Sequence, residues 1–340
     1  MYTPLFEISP HLLKTITACT DLQNWIKYTN IHLDWQPRLQ RETATRLAHF
    51  STSIEGNPLS LNEVEHIADG IEIGTLKKAE MEVQNYLKAL RWIWTQPPNS
   101  KISESQLLGL HQLITNGLLP DTKSGHYKTT TNKIMDHNGH IVYTAPSPQK
   151  SIQFTQELLA WINAKETQVQ HPIIINAIAH HRLVSIHPFS DGNGRTARAL
   201  GMWLFHNLRF DPIHLLPLDE VYATHRLTYY DKIQQARDLD NVLTYWIEYV
   251  ATGTLATLLK AKKRIQSLQI ATKTAIKLSR KQEQLLRYIE EKGRVRSPDI
   301  EADFNISRAR VSQLLKPLTE VNLVTKEGFT SATVYRLSQK

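Results

Sequence analysis

Apolar residues recur along most of the 340-residue chain at the three- and four-residue spacing of helices that bury one face. One helical stretch runs up to the break Gly56-Asn57-Pro58. Ser60 suits the start of the next helix, because Glu63 three residues later completes a capping-box pattern. The periodicity predicts a mainly α fold. Further helical patterns cover about 78–94, 103–116, 151–164, 173–186 and 196–205.

The stretch from 124 to 143 has a different character. Residues 124–135 are rich in β-forming side chains, Asn138-Gly139 is a strong hairpin-turn signal, and 141–143 suit a returning strand. The pattern predicts a β-hairpin. From these residues alone, a structural ribbon and a functional hairpin are both open.

Changes of pattern along the chain predict four segments. The third is basic, with eight Lys or Arg and no acidic residue between 256 and 281. The segments are a helical N-terminal region (1–100), a core that contains the hairpin (101–254), a basic linker helix (255–281) and a small separate unit (282–340).

Bulk composition is that of an ordinary globular protein, with 41% hydrophobic and 21% charged residues. Cys19 is the sole cysteine, which excludes a disulfide within the chain and a cysteine-only zinc site. The N-terminus lacks a signal-peptide pattern and no apolar run reaches 18 residues, so we expect a cytoplasmic protein without membrane contact. The formal charge of +8 is compatible with a polyanionic partner and equally with solvated lysines.

The densest candidate chemistry lies in twelve residues, HPFSDGNGRTAR, at 187–198. A turn made of Gly192, Asn193 and Gly194 at the start of a helix directs backbone N–H groups at an anion such as phosphate. Arg195 and Arg198 are three residues apart on the same helical face, so both can reach one phosphate chain. This half of the motif predicts an anion site.

The other half supplies a carboxylate and an imidazole. Asp191 precedes the anion site and is placed to hold Mg²⁺ against phosphate oxygens. His187 lies on the preceding loop and is placed to take a proton from a hydroxyl. The two halves together predict a site that handles a nucleoside triphosphate.

The segment resembles the signature of the Fic family, HPFxDGNGRxxR, and matches it at every fixed position. The resemblance implies a helical core that transfers AMP from ATP to a Ser, Thr or Tyr hydroxyl of a protein, including the chain itself. The resemblance also implies that His187 is the general base, that Asp191 binds Mg²⁺, and that the glycine turn and both arginines bind phosphates. The kinase-like Doc branch departs from the signature at the glycine turn, which favours nucleotidyl transfer over phosphorylation for this chain.

The resemblance also gives the hairpin a role. The hairpin stands where the family has a flap, whose strand edge pairs with an extended segment of the target. The predicted flap residues are Thr131, Asn132, Lys133 and Ile134.

Residues 51–56, STSIEG, resemble the inhibitory motif of the same family, [S/T]xxxE[G/N]. Ser51 and Glu55 are four residues apart on one helical face. In the resemblance Glu55 pairs with Arg198 and engages the arginine that the γ-phosphate needs, and the early position of the motif implies an N-terminal inhibitory helix. Since the same glutamate positions a water that removes AMP in some relatives, a bifunctional enzyme is an alternative. Without the resemblance, a glutamate that ends a surface helix is the ordinary interpretation.

Residues 282–340 resemble a winged helix-turn-helix, with three predicted helices and strands at about 321–325 and 332–337. On the predicted recognition helix, candidate DNA contacts are Arg308, Arg310, Gln313 and Lys316. The excess of basic over acidic residues is small, however, and many winged helices bind proteins. The rival hypothesis is therefore a nucleotide-sensing DNA-binding regulator. The target protein, the nucleotide base and a homodimer stay open.

Overall fold

The chain folds as two units, Met1–Ala261 and Lys262–Lys340. The computed structural model describes residues 2–29, 31, 35–71, 73–74, 76–135, 139–273, 278–321, 323–328 and 333–338. In these ranges, no helix combines the length and the apolar character needed to cross a membrane. Helices dominate the described residues, as the periodicity predicts.

The first unit consists of helices and one short hairpin. A long helix, α12, begins in this unit and continues into the second. In chain order the elements are α1 (Pro10–Tyr28), α2 (Gln36–Ile54), α3 (Leu61–Ala68), α4 (Lys77–Thr95), α5 (Glu104–Thr115), β1 (Lys133–Met135), β2 (Ile141–Thr144), α6 (Pro148–Ile162), α7 (Lys165–Gln168), α8 (Pro172–Ile186), α9 (Asn193–Asn207), α10 (Asp219–Thr224), α11 (Arg226–Asp238) and α12 (Thr244–Lys273).

Local signals place several helix boundaries close to where the sequence predicts them. The hydroxyl of Ser60 accepts a hydrogen bond from the backbone N–H of Glu63, and the Glu63 carboxylate accepts one from the backbone N–H of Ser60. This capping box begins α3. A second capping box, between Ser103 and Gln106, begins α5. Both boxes satisfy backbone donors that a helix start leaves without partners.

The centre of the first unit is the packed pair α8 and α9. Twelve of the fifteen residues of α8 and fourteen of the fifteen of α9 are buried. The amide of Asn176 donates to the carbonyl of Gly201 at 2.7 Å, and a Cβ at Gly201 would lie 3.1 Å from that amide, so glycine permits the close approach of the two helices. The loop that joins them, 187–192, carries the first half of the predicted motif.

The predicted hairpin forms between β1 and β2, which pair antiparallel with a register shift between Ile134 and Met135. Asn138, the first residue of the predicted turn, lies outside the described residues. Gly139 has a φ of 82°, a left-handed value that suits glycine.

The second unit contains α13 (Arg280–Lys292), β3 (Val295–Arg296), α14 (Ser297–Phe304), α15 (Arg308–Glu320), β4 (Val324–Glu327) and β5 (Val334–Leu337). Its three strands form one antiparallel sheet in the order β3-β5-β4. The strand expected at 321–325 begins only at Val324, because Val321 still caps α15. The basic linker helix predicted at 255–281 coincides with α12 as far as Lys273, and 274–277 lie outside the described residues.

Candidate active site

His187 directly follows α8 and caps its C-terminus. Its backbone is left-handed, with φ 50° and ψ 58°. Ring atom Nδ1 lies 3.3 Å from the carbonyl oxygen of Val184, and because a carbonyl only accepts, Nδ1 carries the proton and Nε2 keeps its lone pair. Burial lowers the pKa of His187 to about 4, and the positive charges of Lys128 and Arg237 lower it as well. At neutral pH the ring is therefore uncharged and able to accept a proton at Nε2.

The glycine turn begins α9. Gly192 has a φ of 77°, and a Cβ there would lie 2.8 Å from Cγ2 of Thr115. The side chain of Asn193 bonds both backbone groups of Phe189, accepting from the N–H and donating to the carbonyl, each at 2.9 Å. These two hydrogen bonds fix the conformation of the turn. The N–H groups of the first turn of a helix have no partner within it, and they lie at the positive end of the helix dipole. A helix start of this form suits an anion, which is the role that the motif predicts for it.

Arg198 is bonded to both Ser51 and Glu55 of the predicted inhibitory motif. Its Nε donates to the hydroxyl of Ser51, and its Nη2 donates to the carbonyl of Ser51 and to Oε1 of Glu55, each at 2.8 Å. The arginine side chain has no exposed surface, whereas that of Glu55 is 31% exposed. Burial alone would lower the pKa of Arg198, but the charge of Glu55, helped by those of Tyr229 and Asp219, outweighs burial and raises it. The predicted pairing of Glu55 with Arg198 is present.

Glu55 also lies beside the anion site. A Cβ added to Gly194 would collide with Oε1 of Glu55 and would lie 3.1 Å from Nη1 of Arg198. Nη1 is buried and has no hydrogen-bond partner within the described structure. One nitrogen of the guanidinium is therefore held by Glu55, while another remains a spare donor beside the first turn of α9.

Arg195 is engaged by a second acidic residue. Its Nη1 forms an ion pair with Oε1 of Glu82 in α4, and its Nη2 lies 3.7 Å from Oδ1 of Asp191. The other carboxylate oxygen of Glu82 accepts from Asn57 at 2.7 Å. Asn57 directly follows the predicted inhibitory motif, so one carboxylate connects the segment after α2 with Arg195.

Residues 101–205 match the family model described as Fic/DOC family. This range is similar to a Fic domain. The matched range contains the whole motif at 187–198, the hairpin and the helices α5, α6, α8 and most of α9.

Curated relatives of the chain carry the name protein adenylyltransferase. The protein adenylyltransferase fic-1 of Caenorhabditis briggsae is 29% identical over 256 residues, which are 74% of this chain and 47% of the relative. The protein adenylyltransferase Fic of Culex quinquefasciatus is 29% identical over 229 residues, 65% of this chain and 42% of the relative. The chain therefore spans about half the length of the curated relatives it matches.

Solved structures share the fold. A Fic family protein from Desulfovibrio desulfuricans G20 superposes with a TM-score of 0.68 at 23% identity and covers 100% of this chain and 99% of that one. Fic-1 from Caenorhabditis elegans superposes with a TM-score of 0.63 at 25% identity, covering 75% of this chain and 73% of that one. The mainly helical Fic fold that the sequence predicts is confirmed.

The chain at the hairpin β1–β2 is hydrogen-bonded to the loop 187–192. Asn132 donates through Nδ2 to the carbonyls of Phe189 and Ser190, at 3.1 and 3.3 Å. On the other strand, the hydroxyl of Tyr143 donates to the carbonyl of Ser185 at 2.8 Å. Of the predicted flap residues, Thr131 and Lys133 are exposed, while Asn132 and Ile134 are half-buried. The hairpin is thus held beside the loop that carries the histidine.

Two residues at the site were not predicted from the sequence, Glu82 and His111. The ring of His111 stacks on Phe189 with centroids 3.8 Å apart. Its Nδ1 accepts from the N–H of Gly125 at 3.0 Å, so its Nε2 is the donor to the carbonyl of Asp191, also at 3.0 Å. Burial lowers the pKa of His111 to about 4. His111 is therefore uncharged, and it stacks on and hydrogen-bonds the loop 187–192.

The donor set around Asp191 fits Mg²⁺ that arrives with a nucleotide. The Asp191 side chain is 67% exposed, and its Oδ1 accepts from the N–H of Gly192 at 2.6 Å. The described residues contain no cluster of three or more His, Cys, Asp or Glu suited to a metal ion. Since Mg²⁺ is commonly held by one or two carboxylates together with substrate phosphates, a single exposed carboxylate at the anion site is sufficient.

The candidate DNA contacts lie in the second unit, on α15. Arg308, Arg310, Gln313 and Lys316 are exposed, and Nη1 of Arg310 donates to Oε1 of Gln313 at 3.0 Å. The buried residues of α15 are Val311, Leu314, Leu315 and Leu318. The predicted division of this helix into an apolar and a polar side is therefore present.

Proposed function

We propose that this chain is a protein adenylyltransferase that moves AMP from ATP to a Ser, Thr or Tyr hydroxyl of a protein and is restrained by Glu55. The observation that carries the proposal is the position of an uncharged histidine base one short loop before an anion site. His187 offers Nε2 to a hydroxyl, and the first turn of α9 offers N–H donors to phosphates. The names of the curated relatives support the same reaction class.

In the proposed reaction, the target hydroxyl gives its proton to Nε2 of His187 while its oxygen attacks the α-phosphorus of ATP. A new oxygen–phosphorus bond forms, the bond between the α-phosphorus and the bridging oxygen breaks, and pyrophosphate leaves. Arg195 and Arg198 bind the departing phosphates, where fixed positive charge offsets the charge that develops. Asp191 would hold Mg²⁺, which neutralises phosphate charge when it is bound.

Target binding is proposed at the hairpin. Residues 131–134 precede or form β1, and an extended target segment that pairs with this edge would place its hydroxyl near His187. Backbone pairing tolerates many sequences, so a mobile segment of the chain itself is also a candidate substrate.

The contacts of Arg198 support the proposed restraint by Glu55. While Nη2 is bonded to Glu55, the carboxylate occupies the space beside Gly194 and repels any phosphate that approaches it. ATP that binds under these conditions would lack the contact of its γ-phosphate with Arg198. The alternative is that the same site also removes AMP from modified protein, by means of a water near Glu55.

The experiment is incubation of the purified chain with Mg²⁺ and ATP labelled at either the α- or the γ-phosphate, for wild type, Glu55→Gly and Glu55→Gly/His187→Ala. We expect label on protein from the α-phosphate alone, about tenfold more in Glu55→Gly, since a hydrogen bond between charged groups is lost, and none in the double variant. Label retained from the γ-phosphate would mean phosphoryl transfer and would overturn the proposal.

A second candidate, DNA binding by the second unit, is favoured by the charge distribution on α15. Its exposed side carries Arg308, Arg310 and Lys316, and no acidic residue occurs between 308 and 319. Helices of this kind enter the major groove of DNA. We expect duplex DNA to bind with an affinity that falls steeply with salt and is lost in Arg308→Ala/Arg310→Ala. The control, Lys292→Ala/Arg294→Ala, removes the same charge elsewhere in the unit, and equal losses in both variants would indicate only nonspecific attraction.

A further inference from the structure

Lys128 binds the chain on both sides of His187. Its backbone N–H donates to the carbonyl of Pro188 at 2.9 Å, and its Nζ donates to the carbonyl of Ile186 at 3.5 Å. The side chain hydroxyl of Ser151 also donates to the carbonyl of Ile186, at 3.3 Å. The carbonyl groups of the residues before and after the proposed base are therefore both hydrogen-bonded, and Lys128 contacts both of them.

The backbone of His187 needs such support. A φ of 50° in a residue other than glycine costs free energy and persists only where the surroundings enforce it. The last carbonyls of a helix have no partner within the helix, and they lie at the negative end of its dipole, so a lysine ammonium at the end of α8 is well placed. Loss of this contact would release the turn that aims the imidazole.

The charge of Lys128 also acts on the ring. Lys128 is 3% exposed, and within the described residues it has no carboxylate partner. The charged groups around His187 are Lys128 and Arg237, which lower the pKa of the imidazole, and Glu55, which raises it. Burial lowers the pKa of Lys128 to about 8, so below that pH Lys128 is a cation beside the base, while Glu55 is paired with Arg198.

We propose that Lys128 is a positioning residue for His187: by bonding the carbonyls of Ile186 and Pro188, it enforces the left-handed conformation of the histidine. Its charge adds to the effect of burial, which is the larger cause of the low pKa of the imidazole. The role of His187 as a base rests on the proposed function. The effects of Lys128 on the conformation and the pKa of His187 do not depend on it. In adenylyl transfer the consequence is a base that is aimed and deprotonated before the target hydroxyl arrives.

The first test measures the pKa of His187 in the full chain by ¹⁵N-histidine NMR, with the signal assigned by its loss in His187→Gln. Lys128→Met removes the charge and the donor, Lys128→Gln removes the charge and keeps a donor, and Lys128→Arg keeps both. We expect a pKa higher by about 0.5 or more in the Met and Gln variants and unchanged in Lys128→Arg. Ser151→Ala is the matched control, because it removes a bond to the same carbonyl without a change of charge. An unchanged pKa in Lys128→Gln would overturn the electrostatic part.

The second test measures transfer kinetics in the Glu55→Gly background. We expect kcat to fall about 10- to 100-fold in Lys128→Met with KM for ATP within about twofold, because a misplaced base affects the reaction and not nucleotide binding. The acid limb of the kcat profile should move to higher pH in the same variant, and Lys128→Arg should restore both. If Glu55→Gly itself transfers nothing, the proposed function fails while the NMR result stands. If it transfers AMP and Lys128→Met matches it in kcat, the positioning role is wrong.

Discussion

Oε1 of Glu55 lies 2.8 Å from Nη2 of Arg198, and the arginine has no exposed side-chain surface. A buried guanidinium that is also bonded to Ser51 cannot rotate into solvent to find another anion. Exchange of partners at this arginine therefore requires Glu55 to move, and the end of α2 is the element whose displacement controls it.

The charge and the bulk of Glu55 are separable. Glu55→Gln keeps the size of the side chain and loses its charge, so it should weaken the pairing with Arg198 but still fill the space beside Gly194. We expect a transfer rate between those of wild type and Glu55→Gly, measured with α-labelled ATP. A rate for Glu55→Gln equal to that of wild type would show that occupancy of the space, and not charge, restrains the site.

Asn57 anchors the residues that follow the inhibitory motif. Its amide donates to the carbonyl of Ala79 at 3.0 Å and to Glu82 at 2.7 Å, and its Oδ1 accepts from the N–H of Leu59 at 3.1 Å. Asn57→Ala should loosen the end of α2 and raise transfer about three- to tenfold.

Combination with Glu55→Gly tests whether this effect acts through the glutamate. In that background Asn57→Ala should change the rate by less than about twofold, because the restraint is already absent. An equal gain in both backgrounds would mean that Asn57 acts on Arg195 through Glu82.

Buried histidines should make the fold sensitive to acid. Burial lowers the pKa of His111, His181 and His187 to about 4, below the unfolded value near 6.5. The unfolded chain then binds more protons between these values, so the free energy of unfolding falls as pH drops from about 6.5 to 4. Asp211 and Asp219, whose pKa values burial raises to about 6, act in the opposite direction but are fewer.

The measurement is the thermal unfolding midpoint at pH 7, 6, 5 and 4.5. Each such histidine contributes at most about 1.4 kcal/mol per pH unit to the slope. His111→Gln removes one titrating group and should flatten the dependence, although the variant is less stable at pH 7. A midpoint that does not change from pH 7 to 4.5 would contradict the expectation.

Gly192 and Gly139 form a matched pair of glycines with φ near +80°. A Cβ at Gly192 would lie 2.8 Å from Thr115, whereas one at Gly139 would meet nothing within 4 Å among the residues that the structure describes. Gly139→Ala should therefore cost about 1 kcal/mol of unfolding free energy, from backbone strain alone. Gly192→Ala should cost about 2–4 kcal/mol and reduce nucleotide binding as well. Chemical denaturation compares the two, and similar costs would show that the loop adjusts to a methyl group.

The sequence predicted those parts of the site that are local along the chain. The turn at 192–194 and the two arginines lie within seven residues, and Ser51 and Glu55 share one turn of helix, so spacing alone brings each group together. Helix boundaries set by a cap, such as the start of α3 at Ser60, were predicted for the same reason.

The unpredicted parts depend on contacts between distant segments. Glu82 is 113 residues from Arg195, and His111 is 80 residues from Asp191. Each is one of several polar residues on its helix. Nothing in the neighbouring sequence distinguishes it from a polar residue on the protein surface. Only the packing of α4 and α5 against α9 places them at the site.

The space beside Gly194 is too small for a methyl group while Glu55 is present. Under the proposed function, a phosphate that enters this space must displace the Glu55 carboxylate, so the proposed restraint amounts to competition for a single volume. A control of this kind needs no separate effector pocket. Its strength depends on the concentration of whichever anion enters the volume and on how readily the end of α2 moves aside, so changes in either quantity alter activity continuously.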